Sequence, residues 1–181
     1  MNRARQNPAD APLLPLAASR VFNAPRQLVF EAWSSAEHLK RWFCPALYTV
    51  PEARIEFREG GAFDICMRSP TGQDHWTRGR YSEIVPHSRL VIDMQVLGQG
   101  PDALFRARLE VGFADHADGT QLTVLQTFTP LEPEAGPMIQ GAPLGWSQTL
   151  DRLEQELARM GAHSVVHASF RIERLYPASR A

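Results

Sequence analysis

Six histidines and two cysteines are the groups of this chain best suited to acid–base, metal or nucleophilic chemistry near neutral pH, and their spacing argues against most of it. His38, His75, His87, His116, His163 and His167 are scattered, and none falls in the H-E-x-x-H arrangement that sets two imidazoles on one helix face around a metal. His163 and His167, four apart, would share a helix face but lie in a C-terminal stretch of uncertain pattern. There is no G-x-S-x-G elbow, no phosphate-cradling glycine loop and no dinucleotide fingerprint. Cys44 follows a helical pattern, whereas an activated thiolate prefers a helix N-terminus or a basic neighbour, so a buried thiol is expected. Proton transfer within a cavity is the chemistry left open, with Asp64 and Asp93 as the carboxylates to test and His75 as the imidazole. No residue is assigned a catalytic role, no cofactor or metal is expected, and a non-enzymatic binding protein is the leading expectation.

The other conspicuous groups are aromatic. The stretch VFEAWSSAEHLKRWFCP, residues 29–45, holds two tryptophans and two phenylalanines among charges. Such rings either fill a core or line a hole. In the second reading Trp33, Trp42 and Phe43 form one wall of a cavity. Phe57, Phe63 and Met67, with Ile55 and Ile65, face them from a sheet, and Trp146 and Leu150 face them from a helix. Ligand pockets are apolar with a few placed polar groups. Gln126 is one, because it shares parity with Leu122, Val124 and Phe128. Tyr81 and Trp76 are further candidates, each an apolar ring with a polar tip, but their parity is opposite, so a regular strand aims only one of them inward. Arg80, Asp93 and Glu56 are the nearby charges, with Glu56 on the solvent parity.

The elements that must position these residues are legible from hydrophobic period. LPLAASRVF fits a first strand ending near Phe22. Pro25 suits the first helical position, and Leu28, Val29, Ala32 and Trp33 recur at helical spacing. Ser34-Ser35-Ala36-Glu37 has the S-x-x-E form of a capping box, so a second short helix follows, with Leu39, Trp42 and Phe43 on one face and Pro45 at its end. From Val50 the period is two. Gly60-Gly61, Ser69 to Gly72, Pro86 to Ser88, LGQGPD and Asp115 to Gly119 separate alternating runs, which predicts an antiparallel meander. Residues 129–141, rich in Pro, Gly and Glu, read as a loop with at most a short helical turn. Trp146, Leu150, Leu153, Leu157 and Met160 then recur at four and three, the strongest helix signal in the chain, ended by Gly161.

Bulk properties set the outer bounds. A length of 181 residues with 44% hydrophobic and 22% charged side chains suits one globular domain. A net charge of −1 gives no reason to expect nucleic acid as a partner. No apolar run approaches the roughly 20 residues of a membrane span, and Pro12 and Pro15 interrupt the only N-terminal candidate for a signal core. Cys44 and Cys66 form no CxxC pair and read as reduced, buried thiols, so a cytoplasmic location is expected.

An ordered set of motifs runs from Arg20 to Leu153: R-V-F-x-A-P, V-F-x-A-W, H-L-x-x-W-F-x-P, R-x-G-G, G-x-Y-x-E-I-x-P, R-L-V, G-T-x-L-T and G-W-x-x-x-L-x-x-L. The set resembles the START-like, helix-grip (SRPBCC) superfamily, in the branch of the activator of heat-shock-protein ATPase homologues. Glu56 stands where that branch commonly has aspartate. The resemblance implies an α+β helix-grip fold: a curved antiparallel sheet of six to seven strands around a long C-terminal helix, with two short helices after the first strand. It spans residues 14–161, between an expected disordered tail at 1–13 and an extension at 162–181 in which Ser164 to Leu175 alternates. It further implies a small hydrophobic or aromatic ligand in an interior cavity. Two or three ring contacts plus a polar anchor would reach micromolar affinity. The alternatives are a cyclase- or hydrolase-like enzyme on an aromatic or polyketide-type substrate, and a chaperone-partner module using an exposed surface. A homodimer is left open.

Overall fold

The structure, a computed structural model, describes residues 13–161 and the strand 171–174. Strand β1 (Leu16–Phe22) leads into helices α1 (Arg26–Glu31) and α2 (Ala36–Trp42). Six strands follow: β2 (Thr49–Ile55), β3 (Ala62–Arg68), β4 (Asp74–Val85), β5 (Arg89–Leu97), β6 (Ala103–His116) and β7 (Gly119–Pro130). Helix α3 (Ala135–Arg159) comes next, and a short β8 (Arg171–Arg174) pairs antiparallel with β1. The sheet order is β2-β3-β4-β5-β6-β7-β1-β8, so consecutive strands pair as a meander and β1 closes onto β7. The sheet curls into a half-barrel against α3 and the short helices, the α+β helix-grip arrangement expected from the sequence. The expected tail at 1–13, apart from Leu13, and all of the 162–181 extension except β8 lie outside the described residues.

Alternation sets the two faces of the sheet. On β6, Phe105, Ala107, Leu109, Val111 and Phe113 are buried while Arg106 and Arg108 are exposed. Across the sheet the outward positions carry cross-strand ion pairs: Asp64 with Arg78 at 3.2 Å, Asp93 with Arg108 at 2.9 Å and Glu110 with Arg89 at 2.8 Å. Two tight corners need glycine. At Gly61 a Cβ would collide with the Glu56 carbonyl oxygen in the β2–β3 turn. Gly119 sits at φ 128°, against the backbone of Phe22 and Ala24.

The capping of the short helices departs from the expectation by one residue. Ser35, not Ser34, is the N-cap of α2, and its Oγ accepts from the His38 N–H at 3.3 Å. Ser34 instead closes the end of α1, its hydroxyl donating to Glu31 O at 2.8 Å. Pro25 is the N-cap of α1 rather than its first turn. The larger departure is at α3, which begins at Ala135 inside the stretch read as a loop. Ala135 and Ile139 are buried there, and that burial holds helix through a segment whose glycines and prolines disfavour it.

Candidate functional site

The rings of the short helices form a continuous cluster. Trp33 and Trp42 are fully buried and meet edge to face at 4.7 Å, each also contacting Phe43. Trp42 Nε1 donates to Ala32 O at 2.9 Å across the helix junction. The chain of edge contacts continues from Phe43 to Phe63, Tyr81 and Phe57 at 5.4, 5.5 and 5.2 Å. Tyr81 is fully buried and its hydroxyl donates to Trp33 O at 3.3 Å. Burial pushes that phenol well above its ordinary range, so it stays protonated and serves as a donor.

At its Phe43 and Trp146 end this cluster meets open space. A cavity of about 190 Å³ lies between the sheet and the first half of α3. Phe43 and Pro45 line it from the α2–β2 loop, and Met67, His75, Thr77, Met94 and Val96 from β3 to β5. Phe105, Leu109, Gln126 and Phe128 line it from β6 and β7, and Met138, Ala142, Gly145, Trp146 and Thr149 from α3. Among the described residues no Asp, Glu, Lys or Arg lines it, and His75 is its one titratable wall residue. Trp146 Nε1 donates to Gln126 Oε1 at 2.7 Å, tying α3 to β7 at the wall. Behind Trp146 stacks Trp33, with centroids 6.4 Å apart and planes at 20°.

The loop carrying Phe43 and Pro45 is fastened to α3 from outside the cavity. Arg152 Nη1 donates to Tyr48 O at 2.8 Å and lies 2.6 Å from Cys44 Sγ, and Gln148 Oε1 accepts from Ala46 N–H at 3.2 Å. Burial pushes the Cys44 thiol up and outweighs the charge of Arg152, so the sulfur is a protonated packing group. Glu56 works at the β2–β3 turn. The hydrogen bond from Arg54, then the Ala62 N–H, hold its carboxyl below the ordinary carboxylate range.

Residues 23–158 match the family described as activator of Hsp90 ATPase homolog 1-like protein. The chain belongs to that family. Among solved structures, a protein from Rhizobium leguminosarum is 27% identical, with a TM-score of 0.66 over 80% of this chain and 94% of its own. One from Chromobacterium violaceum is 25% identical, with a TM-score of 0.68 over 79% of this chain and 96% of its own. An AHSA1 protein from Silicibacter pomeroyi, 19% identical, shares the fold with a TM-score of 0.69 over 81% of this chain and 99% of its own. No curated protein matches the chain.

Within this family member, four of the residues expected at a ligand site meet at the cavity wall: Phe43, Met67, Gln126 and Trp146. Trp33, Trp42, Phe57, Phe63, Tyr81 and Leu150 lie in the core behind it, because the short helices press their indoles into one end of the half-barrel. Trp76 is on the other face of the sheet, where the Arg78 guanidinium sits 3.8 Å over its ring. The parity conflict between Trp76 and Tyr81 resolves in favour of Tyr81 facing in. Asp64 and Asp93 also face outward in ion pairs, so of the three groups considered for proton transfer only His75 reaches the cavity. Sequence reasoning did not find Met94, Val96, Phe105, Leu109 or Phe128 as wall residues. Their inward parity was readable, but parity does not say at which height along a strand the interior is left unfilled.

Proposed function

We propose that this protein binds a small, mostly apolar molecule in the cavity between the sheet and the first half of α3. The observation that carries the reading is a wall of mainly aromatic and aliphatic side chains around about 190 Å³, with no Asp, Glu, Lys or Arg in it among the described residues. A dry apolar cavity of roughly 150 Å³ takes a benzene ring, so this one suits a single ring with a short substituent. Burying about 150 Å² of ring at about 25 cal/mol per Å² is worth roughly 4 kcal/mol before the cost of association. That corresponds to an affinity of about millimolar or weaker.

The test uses Ala142, whose small side chain lines the cavity from α3. Ala142→Phe fills the space while keeping a helix-compatible residue. In an NMR titration with ethylbenzene, the wild-type protein is expected to shift resonances of Trp146 and Phe105, and Ala142→Phe to bind more than about tenfold more weakly with its fold retained. Equal binding by both proteins would place the ligand outside this cavity.

A further inference from the structure

The geometry points to a narrower ligand class: a neutral ring compound carrying a hydrogen-bond-accepting oxygen, such as an aryl ketone or ester, anchored by the Gln126 side-chain amide. This rests on the cavity reading above and adds the chemistry of its polar end.

The orientation of Gln126 follows from its partner. An indole N–H can only donate, so the atom 2.7 Å from Trp146 Nε1 is the amide oxygen, and the amide cannot be turned round without facing donor against donor. The oxygen is therefore engaged by Trp146, and Nε2 keeps two N–H donors that no described residue accepts. Gln126 lines the cavity, so those donors are available to a ligand there. A second donor in the same wall is Thr77, 7% exposed, whose hydroxyl has no hydrogen-bond partner among the described residues. The other wall hydroxyl, Thr149, already donates to Gly145 O at 2.8 Å. Thr77, Thr149 and His75 can each accept as well as donate, so Gln126 Nε2 is the one unengaged polar group of the described wall that can only donate, and it calls for an acceptor on the ligand.

Charge is disfavoured by the same wall. A carboxylate drawn from water needs a counter-charge as well as donors, and among the described residues no Arg or Lys lines the cavity, which leaves His75 as the one wall group able to carry a positive charge. The arginines of the strands that build it, Arg78, Arg106 and Arg108, lie on the opposite parity from Thr77, Phe105 and Leu109. A carbonyl oxygen is satisfied by one or two N–H groups and leaves the rest of the ring to Phe43, Trp146 and the aliphatic wall.

The experiment compares acetophenone, ethylbenzene and benzoate by NMR titration at pH 8, above the ordinary range of a histidine, on wild type and Gln126→Glu. The variant keeps an oxygen to accept from Trp146 Nε1 and removes both N–H donors. On going from wild type to the variant, acetophenone is expected to lose at least about fivefold more affinity than ethylbenzene, and benzoate to bind wild type at least about tenfold more weakly than acetophenone. In wild type, the Gln126 side-chain N–H resonances should move with acetophenone and not with ethylbenzene, a readout that needs no variant and decides the matter if Gln126→Glu fails to fold. Parallel loss of both neutral ligands, no loss of either, or benzoate binding as tightly as acetophenone overturns the acceptor assignment while the cavity reading stands. If neither neutral compound binds wild type, both readings fall.

Discussion

Glu156 is 4% exposed, and a carboxylate so placed is stable only when its oxygens are occupied. Arg159 Nε and Nη2 each donate to it at 2.7 Å, and His38 Nδ1 donates at 2.8 Å, so α2 and α3 are joined through one carboxyl group. Burial by itself raises the affinity of that group for a proton, but the hydrogen bonds from Arg159 and then His38 prevail and leave it below the ordinary carboxylate range. Because the folded value lies below the unfolded one, the stabilisation is present above the ordinary Glu range and is lost as the pH falls through the folded value. Glu156→Gln should therefore cost about 1.5–3 kcal/mol at pH 7, and in urea unfolding the gap from wild type should hold at pH 5 and narrow near pH 3.5. A gap of constant size across those pH values would show that shape, not charge, sustains the contact. At this scale the sequence revealed types and parity but not partners. Gln126 was readable as inward-facing from its phase with Leu122 and Val124, whereas its bond to Trp146, 20 residues further on, depends on how deeply α3 settles into the curl of the sheet.

Helix α3 combines two unlike halves. From Leu150 to Leu157 its buried face is leucine with Glu156, and the sequence stripe that identified it is this half. From Ala135 to Gly145 it includes Gly136, Pro137, Gly141, Pro143 and Gly145, and this is the half that roofs the cavity. Each interior glycine costs about 1 kcal/mol against alanine and an interior proline about 3, and Pro143 has no N–H to offer the Ile139 carbonyl. The roof should therefore open locally at much lower free energy than the rest of the helix, giving a ligand its way in. Native-state hydrogen exchange should find amides between Met138 and Gly145 exchanging at least about a hundredfold faster than those between Leu150 and Leu157. Pro143→Ala should slow exchange of the roof and slow ligand entry with it. Uniform protection along α3 would remove the roof as the entry route. The strands were legible because period-two alternation survives even with β-bulges at Tyr81/Glu83 and Val96/Leu97. The roof was not, because its local propensity argues for a loop and only the tertiary burial of Ala135 and Ile139 reverses that. Trp33, just beyond α1, and Trp42 of α2 misled in the opposite sense: large rings at helical spacing look the same whether they line a hole or plug it.

At the scale of the molecule, the fold that leaves a cavity at one end must also protect the two open edges of its sheet. β2 is one edge, and it carries Pro51 and a register break between Thr49 and Glu52, with α2 packed alongside. Those features discourage another strand from adding there. At the other edge β8 covers β1, pairing Leu16 to Ser19 with Arg174 to Arg171. Without β8, seven-residue β1 becomes the edge, with Leu16, Ala18, Arg20 and Phe22 on its buried face and neither a proline nor a register break within it. We propose that residues 14–161 form the folding unit that holds the cavity, and that β8 is its edge guard. A chain ending at Gly161 should then keep its far-ultraviolet spectrum and its affinity for ethylbenzene within about twofold. It should also show concentration-dependent dimers or larger species by light scattering, and those should be suppressed by a single Ala17→Lys change on the outward face of β1. If the shortened chain stays monodisperse at high concentration, β8 does not guard the edge. If it loses ethylbenzene binding while remaining folded, the C-terminal extension reaches the cavity and the domain boundary at 161 is misplaced.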